Sequence, residues 1–217
     1  MDAAGYTTLT RQSGLMREMQ VVANNIANLS TAGFRREGVV FSEYVKRLED
    51  DPSLSMARAS GRVVDLTQAG LAQTGGTFDF AIQGEGFFLV ETQQGSRLTR
   101  AGRFTPSPEG ELVTPEGHKL LDQGGAPVFV PPDARDVALA QDGTLSSAGQ
   151  PLAKIGLWAP TEITDLRHQS GTLFTADAGI EPVEGAVILQ GQLEESNVNP
   201  VSEIARMIDV QRAYELG

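Results

Sequence analysis

His118, His168 and the adjacent acidic pairs Asp50-Asp51 and Glu194-Glu195 are the side chains of this sequence with types suited to acid–base or metal chemistry. Their spacing argues against both. The two histidines lie far apart, each in a turn-like setting, and read as surface residues. Neighbouring carboxylates on a strand or helix point apart, so neither pair forms a glycosidase dyad. No Asp-x-Asp-x-Asp-Gly run gathers oxygens around a cation, and the pairs read as solvated faces. Gly84-Glu85-Gly86 opens like a dinucleotide loop, but no third glycine follows. Phe87-Phe88 comes next, a strand signal, so the glycines mark a turn. No cysteine is present, which removes disulfides, thiolate sites and cysteine nucleophiles. The sequence therefore predicts no catalytic, cofactor-binding or metal-binding residues.

Asn24, Asn25 and Asn28 stand out for a different reason. They fall inside a helical pattern, where each asparagine costs roughly half a kcal/mol relative to alanine. Asn24 and Asn28 share a helix face, and Asn25 neighbours the apolar Ile26. Amides so placed hydrogen-bond across a helix–helix contact and set its register, as buried asparagines do in coiled coils. A merely polar face is the alternative reading.

The elements that position these amides follow from periodicity. Leu15, Met16, Met19, Val22, Ala23, Ile26 and Leu29 recur at three- and four-residue steps, as do Val198, Val201, Ile204, Ala205 and Ile208. Each set marks one helix face that calls for burial. A first helix is expected from Asp2, as N-cap, to Leu29, with Gly33 taking a left-handed turn beyond it. Burying its seven apolar side chains contributes on the order of 10 kcal/mol, while fixing about 25 residues costs roughly 1 kcal/mol or more apiece. One helix alone cannot order itself, so the two ends are expected to pair and to stack on neighbours.

Residues 34–75 read as a connector. Residues 76–190 carry short apolar runs with turn signals every 8–12 residues, which indicates an antiparallel β domain. Inside it, Gly110, Leu112, Gly117 and Leu120 are echoed by Gly143, Leu145, Gly149 and Leu152. Asn199 caps the last helix and Pro200 suits its first position. That segment, 191–217, keeps its stripe to the last residues, so the helix is expected to be cut short there. The expected fold class is α+β: terminal helices forming a coiled-coil-like assembly segment around a mainly antiparallel central domain. The predicted assembly residues are Leu15, Met16, Met19, Val22, Ala23, Asn24, Asn25, Ile26, Asn28 and Leu29, with Val198, Val201, Ile204, Ala205 and Ile208.

A net charge of −11 argues against nucleic acid and anionic membranes as partners. No basic segment precedes an apolar run at the start, and no stretch approaches a membrane span. The sequence thus points to a soluble chain, cytoplasmic unless exported by a route that cleaves no signal.

The stretch Val22-Ala23-Asn24-Asn25-Ile26-Ala27-Asn28-Leu29-Ser30-Thr31-Ala32-Gly33-Phe34-Arg35 resembles the signature of the rod and hook family of flagellar axial proteins. Three further segments match in the family's order. They are Gly84-Glu85-Gly86 with Phe87-Phe88, then Leu98-Thr99-Arg100-Ala101-Gly102-Arg103-Phe104, then Ser196-Asn197-Val198-Asn199-Pro200 leading to Gln211-Arg212-Ala213-Tyr214-Glu215. The size resembles a rod member; the hook carries a larger outer domain. Thr10, Arg11 and Gln12 depart from the small or apolar residues the family has there. The resemblance implies a non-enzymatic basal-body subunit without a cofactor. Such subunits leave through the flagellar type III export apparatus without signal cleavage. They assemble with copies of themselves and other rod proteins in the periplasm, without inserting in a membrane. The competing class is a β module that binds glycan or peptidoglycan, disfavoured by a single tryptophan, Trp158, and 6% aromatic residues.

Overall fold

A computed structural model of the chain describes residues 3–46 and 54–216, with side-chain surroundings described for residues 9, 11–40 and 61–216. Helix α1 spans Ala3–Ala27 and helix α2 spans Pro200–Glu215. Between them lie β1 (Glu37–Lys46), β2 (Leu54–Val64), β3 (Leu71–Gln73), β4 (Phe80–Gln83), β5 (Phe88–Thr92) and β6 (Gly95–Thr99). Next come β7 (Thr105–Pro106), β8 (Leu112–Val113), β9 (Lys119–Leu120), β10 (Val137–Leu139), β11 (Thr144–Ser147) and β12 (Gln150–Lys154). The last strands are β13 (Trp158–Pro160), β14 (Leu166–Ser170), β15 (Leu173–Ala176), β16 (Ile180–Pro182), β17 (Val187–Gln190) and β18 (Gln192–Glu194). The architecture is therefore α+β, with a helix at each end of an antiparallel β region. The proposed cap Asp2 lies outside the described residues.

The chain divides into two compact units. The helical unit takes the described parts of 1–29, 35–66 and 198–217, and the β unit takes 30–34 and 67–197.

In the β unit, a seven-stranded sheet runs β14-β15-β6-β5-β9-β8-β7, and β10-β11-β12 form a three-stranded sheet. Two-stranded pairs join β17 to β4, β18 to β3 and β13 to β16, all antiparallel. Phe80, Ile82, Phe88, Val90, Phe104, Leu112, Leu120, Leu145 and Ile188 meet in one apolar core. Phe88 and Phe104 pack edge to face, with ring centroids 5.6 Å apart. The two echoed segments form strand–glycine turn–strand units: Gly110, Gly117, Gly143 and Gly149 all have positive φ, and Leu112, Leu120 and Leu145 are buried. Leu152 is half-buried.

Several expectations need correction. The first helix ends at Ala27, two residues before Leu29. The Asn28 amide donates to the Asn24 carbonyl at 2.8 Å, which satisfies one of the helix's last acceptors and closes it there. Gly33 does take a left-handed φ of +72°. Inside the expected connector, β1 and β2 form a paired antiparallel ribbon. The register shifts between Val40 and Phe41, where pairing passes from Gly61 to Ala59, and such a bulge breaks the two-residue period that marks a strand in sequence. At the edges of the expected β domain, Leu71–Gln73 pairs with Gln192–Glu194, so strand pairing extends beyond 76–190 on both sides.

Two chemistry-bearing side chains are also less exposed than their spacing suggests. Glu194 is buried and ion-paired, while its neighbour Glu195 is exposed, so the pair is not one solvated face. His168 is half-buried between two rings, tilted to Phe34 at 5.2 Å and edge-on to Phe174 at 4.7 Å between centroids.

Candidate assembly interface

Within the helical unit, α1 and α2 pack against each other and α1 also packs on β1 and β2. At the start of α2, Asn199 accepts hydrogen bonds from the backbone N–H groups of Val201 and Ser202 at 3.0 and 3.1 Å, with Pro200 in the first turn. This cap fixes the phase of the helix and turns Glu203 inward, where 1% of it is exposed.

A polar lock forms around that carboxylate. Asn25 is fully buried and its Nδ2 donates to Glu203 Oε2 at 3.1 Å and to the Glu37 carbonyl at 2.9 Å. The Glu37 N–H returns a bond to Asn25 Oδ1 at 3.0 Å, so one amide side chain completes a strand-like pair with the β1 backbone. Arg36 Nε donates to Glu203 Oε1 at 2.5 Å. Further along the pair of helices, Arg206 Nη2 meets Glu18 Oε1 at 2.8 Å. The contacts 25–203 and 18–206 advance in opposite senses along the two helices, which therefore run antiparallel.

Glu37 is the member whose carboxyl is displaced from its ordinary titration. Burial holds its carboxyl above the ordinary carboxylate range, opposed by the Arg62 charge and by a hydrogen bond from the Asn24 side chain. Arg62 Nη1 stands 3.5 Å from Glu37 Oε2. The raised value means that the folded chain holds this proton more tightly than the unfolded chain. Its stabilising contribution is complete below the ordinary value of 4.5 and is lost as pH rises through the folded value. Glu37→Gln is thus expected to remove a stability gain that the native chain shows on acidification from neutral pH. Urea midpoints of both chains across that range check this; equal pH slopes would refute it.

The predicted assembly residues divide between two environments. Val22, Asn25 and Val198 are buried, and Leu15, Met19, Asn24, Ile26, Asn28 and Leu29 are half-buried. Met16, Ala23, Val201, Ile204, Ala205 and Ile208 are exposed. The inward face of α2 carries Glu203, Met207 and Val210, a second set at helical spacing, and the apolar stripe faces out. Val201 is 76% exposed, Ile204 52% and Ile208 43%. Sequence reasoning missed Val21, Arg36, Glu37 and Glu203. The readable signal was Glu203 in phase with Met207, Val210 and Tyr214; polarity drew attention to the other face.

Among the described residues, no group of three or more His, Cys, Asp or Glu side chains is placed to hold a metal ion. No described helix is long and apolar enough to cross a membrane.

Comparison with known proteins agrees with this arrangement of ends and middle. Residues 6–35 match the flagella basal body rod protein family, and residues 189–217 match the flagellar basal body rod FlgEFG protein C-terminal family. Residues 81–147 match the flagellar hook protein FlgE/F/G D1 domain. The flagellar basal-body rod protein FlgF of Caulobacter vibrioides is 40% identical over 221 residues, covering 99% of this chain and 90% of its own length. The chain belongs to the flagellar basal-body rod protein family.

Its resemblance within the family is to FlgF. A second FlgF, from Mesorhizobium japonicum, is 39% identical across 97% of this chain and 88% of its own length. FlgG of Bacillus subtilis is 29% identical across 97% of the chain and 90% of its own length. The chain is thus a structural rod subunit of the flagellar basal body, and it associates with other rod components. The matched stretches contain most of α1 with Asn25 and all of α2 with Glu203, while Arg36 and Glu37 lie just beyond the first.

Proposed function

We propose that this subunit polymerises through its terminal helices, with the outward stripe of α2 docking on the helices of neighbouring rod subunits in a coiled-coil-like seam. The supporting observation is the exposed set Val201, Ile204, Ala205 and Ile208 on a helix whose other face is already used inside the subunit. Their 3-4 spacing is that of a coiled-coil seam. Burying each large side chain in it contributes on the order of 1 kcal/mol or more. Met16 and Ala23 on α1 add a second outward apolar patch. Because the α1 and α2 patches differ, a contact between them is heterologous, and such contacts extend into open helical assemblies where the rotation does not close a ring. The assembled shaft carries motor torque through the periplasm. The chain enters it by way of the flagellar type III export apparatus, without a cleaved signal, as family membership suggests.

Ile204→Asp is the direct test. The side chain is exposed, so thermal stability of the isolated subunit is expected to stay within about 0.5 kcal/mol of the native chain. Basal bodies from cells carrying the variant are expected to lack it. Normal incorporation at native stability would rule out the α2 stripe as a seam.

A further inference from the structure

Glu194, in β18, has 1% of its side chain exposed and holds three segments of the β unit together. Its Oε2 accepts from Arg100 Nε at 2.7 Å, and its Oε1 accepts from the Ala69 N–H at 3.0 Å. Its backbone carbonyl accepts from the Gly33 N–H at 2.8 Å. Three residues on, Asn197 donates its N–H to the Phe34 carbonyl at 3.3 Å and its side-chain amide to the Thr67 carbonyl at 2.9 Å. Arg100, buried to the same degree, spreads its remaining donors over the β4 end and the turn after it. Nη1 reaches the Gly86 carbonyl at 2.5 Å and the Gly84 carbonyl at 3.1 Å. Nη2 reaches Gly84 at 3.1 Å and Ile82 at 3.3 Å. The Gly84-Glu85-Gly86 turn therefore serves as an acceptor cup for a guanidinium.

These segments have a common property. The chain passes between its two units after Leu29, Phe34, Leu66 and Asn197, so every passage borders residues 30–34, 67–70 or 194–197. All three are tied to Glu194 or Asn197, and through Arg100 to the sheet that follows β4.

We propose that the Arg100–Glu194 pair is a buckle that gathers all four chain passages into one node and delivers the load they carry to the β unit at a single place. A buried ion pair adds little net stability compared with apolar residues of the same volume. Its use here is directional. One carboxylate shared between a guanidinium and the Ala69 N–H, on a residue whose own carbonyl holds the Gly33 N–H, obliges the segments it touches to move together, and mutual polarisation strengthens each bond. Gly33 shows how closely the node is assembled, since a Cβ there would lie 2.3 Å from the Ala101 nitrogen. Only the source of the load rests on the rod reading; the node itself does not.

The test uses the full chain and two variants, Arg100→Lys and Glu194→Gln, each of which keeps much of the side-chain volume. Hydrogen exchange is expected to accelerate together at the Gly33, Ala69 and Asn197 amides, by tenfold or more, while the Val90 and Leu98 amides stay within twofold. Unchanged or independent responses at the three amides would overturn the buckle, as would an equal rise throughout the sheet. In cells, the same variants are expected to build rods and swim in dilute medium but to lose rotation in viscous medium. Coupled exchange with native rotation under load would overturn the load-bearing role. Coupled exchange in a chain whose complete deletion leaves the flagellum intact would overturn the rod reading and leave the node standing.

Discussion

Asn25→Asp is expected to cost about 3–5 kcal/mol and to separate the two terminal helices, because it leaves buried charge unpaired. The native amide donates to Glu203 Oε2 at 3.1 Å and to the Glu37 carbonyl at 2.9 Å. An aspartate offers oxygen to both, so two carboxylates and a carbonyl face one another beside the single guanidinium of Arg36. Solvent cannot screen them, since Asn25 is fully buried and Glu203 is 1% exposed. The helical circular dichroism of the full chain is expected to melt well below that of the native protein, and basal bodies are expected to lack the subunit. The defect should shrink on acidification, because the new carboxyl titrates above its usual range and, once protonated, regains a donor. A native melting curve at neutral pH would show that the lock does not hold the helices.

Gly102→Ala is expected to disrupt the β unit by about 3 kcal/mol or more, beyond ordinary overpacking. An added Cβ would stand 1.6 Å from the Phe80 carbonyl oxygen and 2.7 Å from its carbon. Those atoms are backbone, and the Phe80 N–H donates to the Gly102 carbonyl at 2.8 Å, so relief requires breaking that bond. The core rings of Phe80, Phe88 and Phe104 crowd the same place. Urea unfolding followed by fluorescence of Trp158, which lies in the β unit, measures the loss. Gly117→Ala is the comparison: its φ is +87° with nothing within 4 Å of the added carbon, so only conformational strain of about 1–2 kcal/mol is expected. Equal losses in the two variants would mean that the contact with Phe80 is relieved at no cost.

Much of this architecture was legible in local sequence. Helical spacing located both terminal helices, glycine and acidic turn signals located the β region, and Asn199-Pro200 marked the start of α2 to the residue. The long asparagine-rich stretch from Val22 to Arg35 carries the resemblance to the family by itself. These features depend on a few neighbouring residues, whose steric and hydrogen-bonding preferences are set within one turn or one hairpin.

What a single side chain does was less legible. Asn24, Asn25 and Asn28 look alike in sequence, yet Asn28 closes the helix, Asn25 joins α1 to β1 and α2, and Asn24 hydrogen-bonds the Glu37 carboxyl. The apolar stripe of α2 implied an inward face, and the inward face is the one with Glu203. Periodicity identifies which residues share a face and says nothing about which face a partner takes.

The sequence by itself therefore determined the two terminal helices, the β region between them, the α+β class, the family, and the residues that share each helix face, but not the β1–β2 ribbon. Only the tertiary structure decided which faces are spent inside the subunit, and that Glu194 is buried against Arg100 while its neighbour Glu195 meets solvent. The reason is range. Helix, turn and cap preferences are local, whereas Asn25 with Glu203 and Arg100 with Glu194 are partners 178 and 94 residues apart, brought together only when the chain folds.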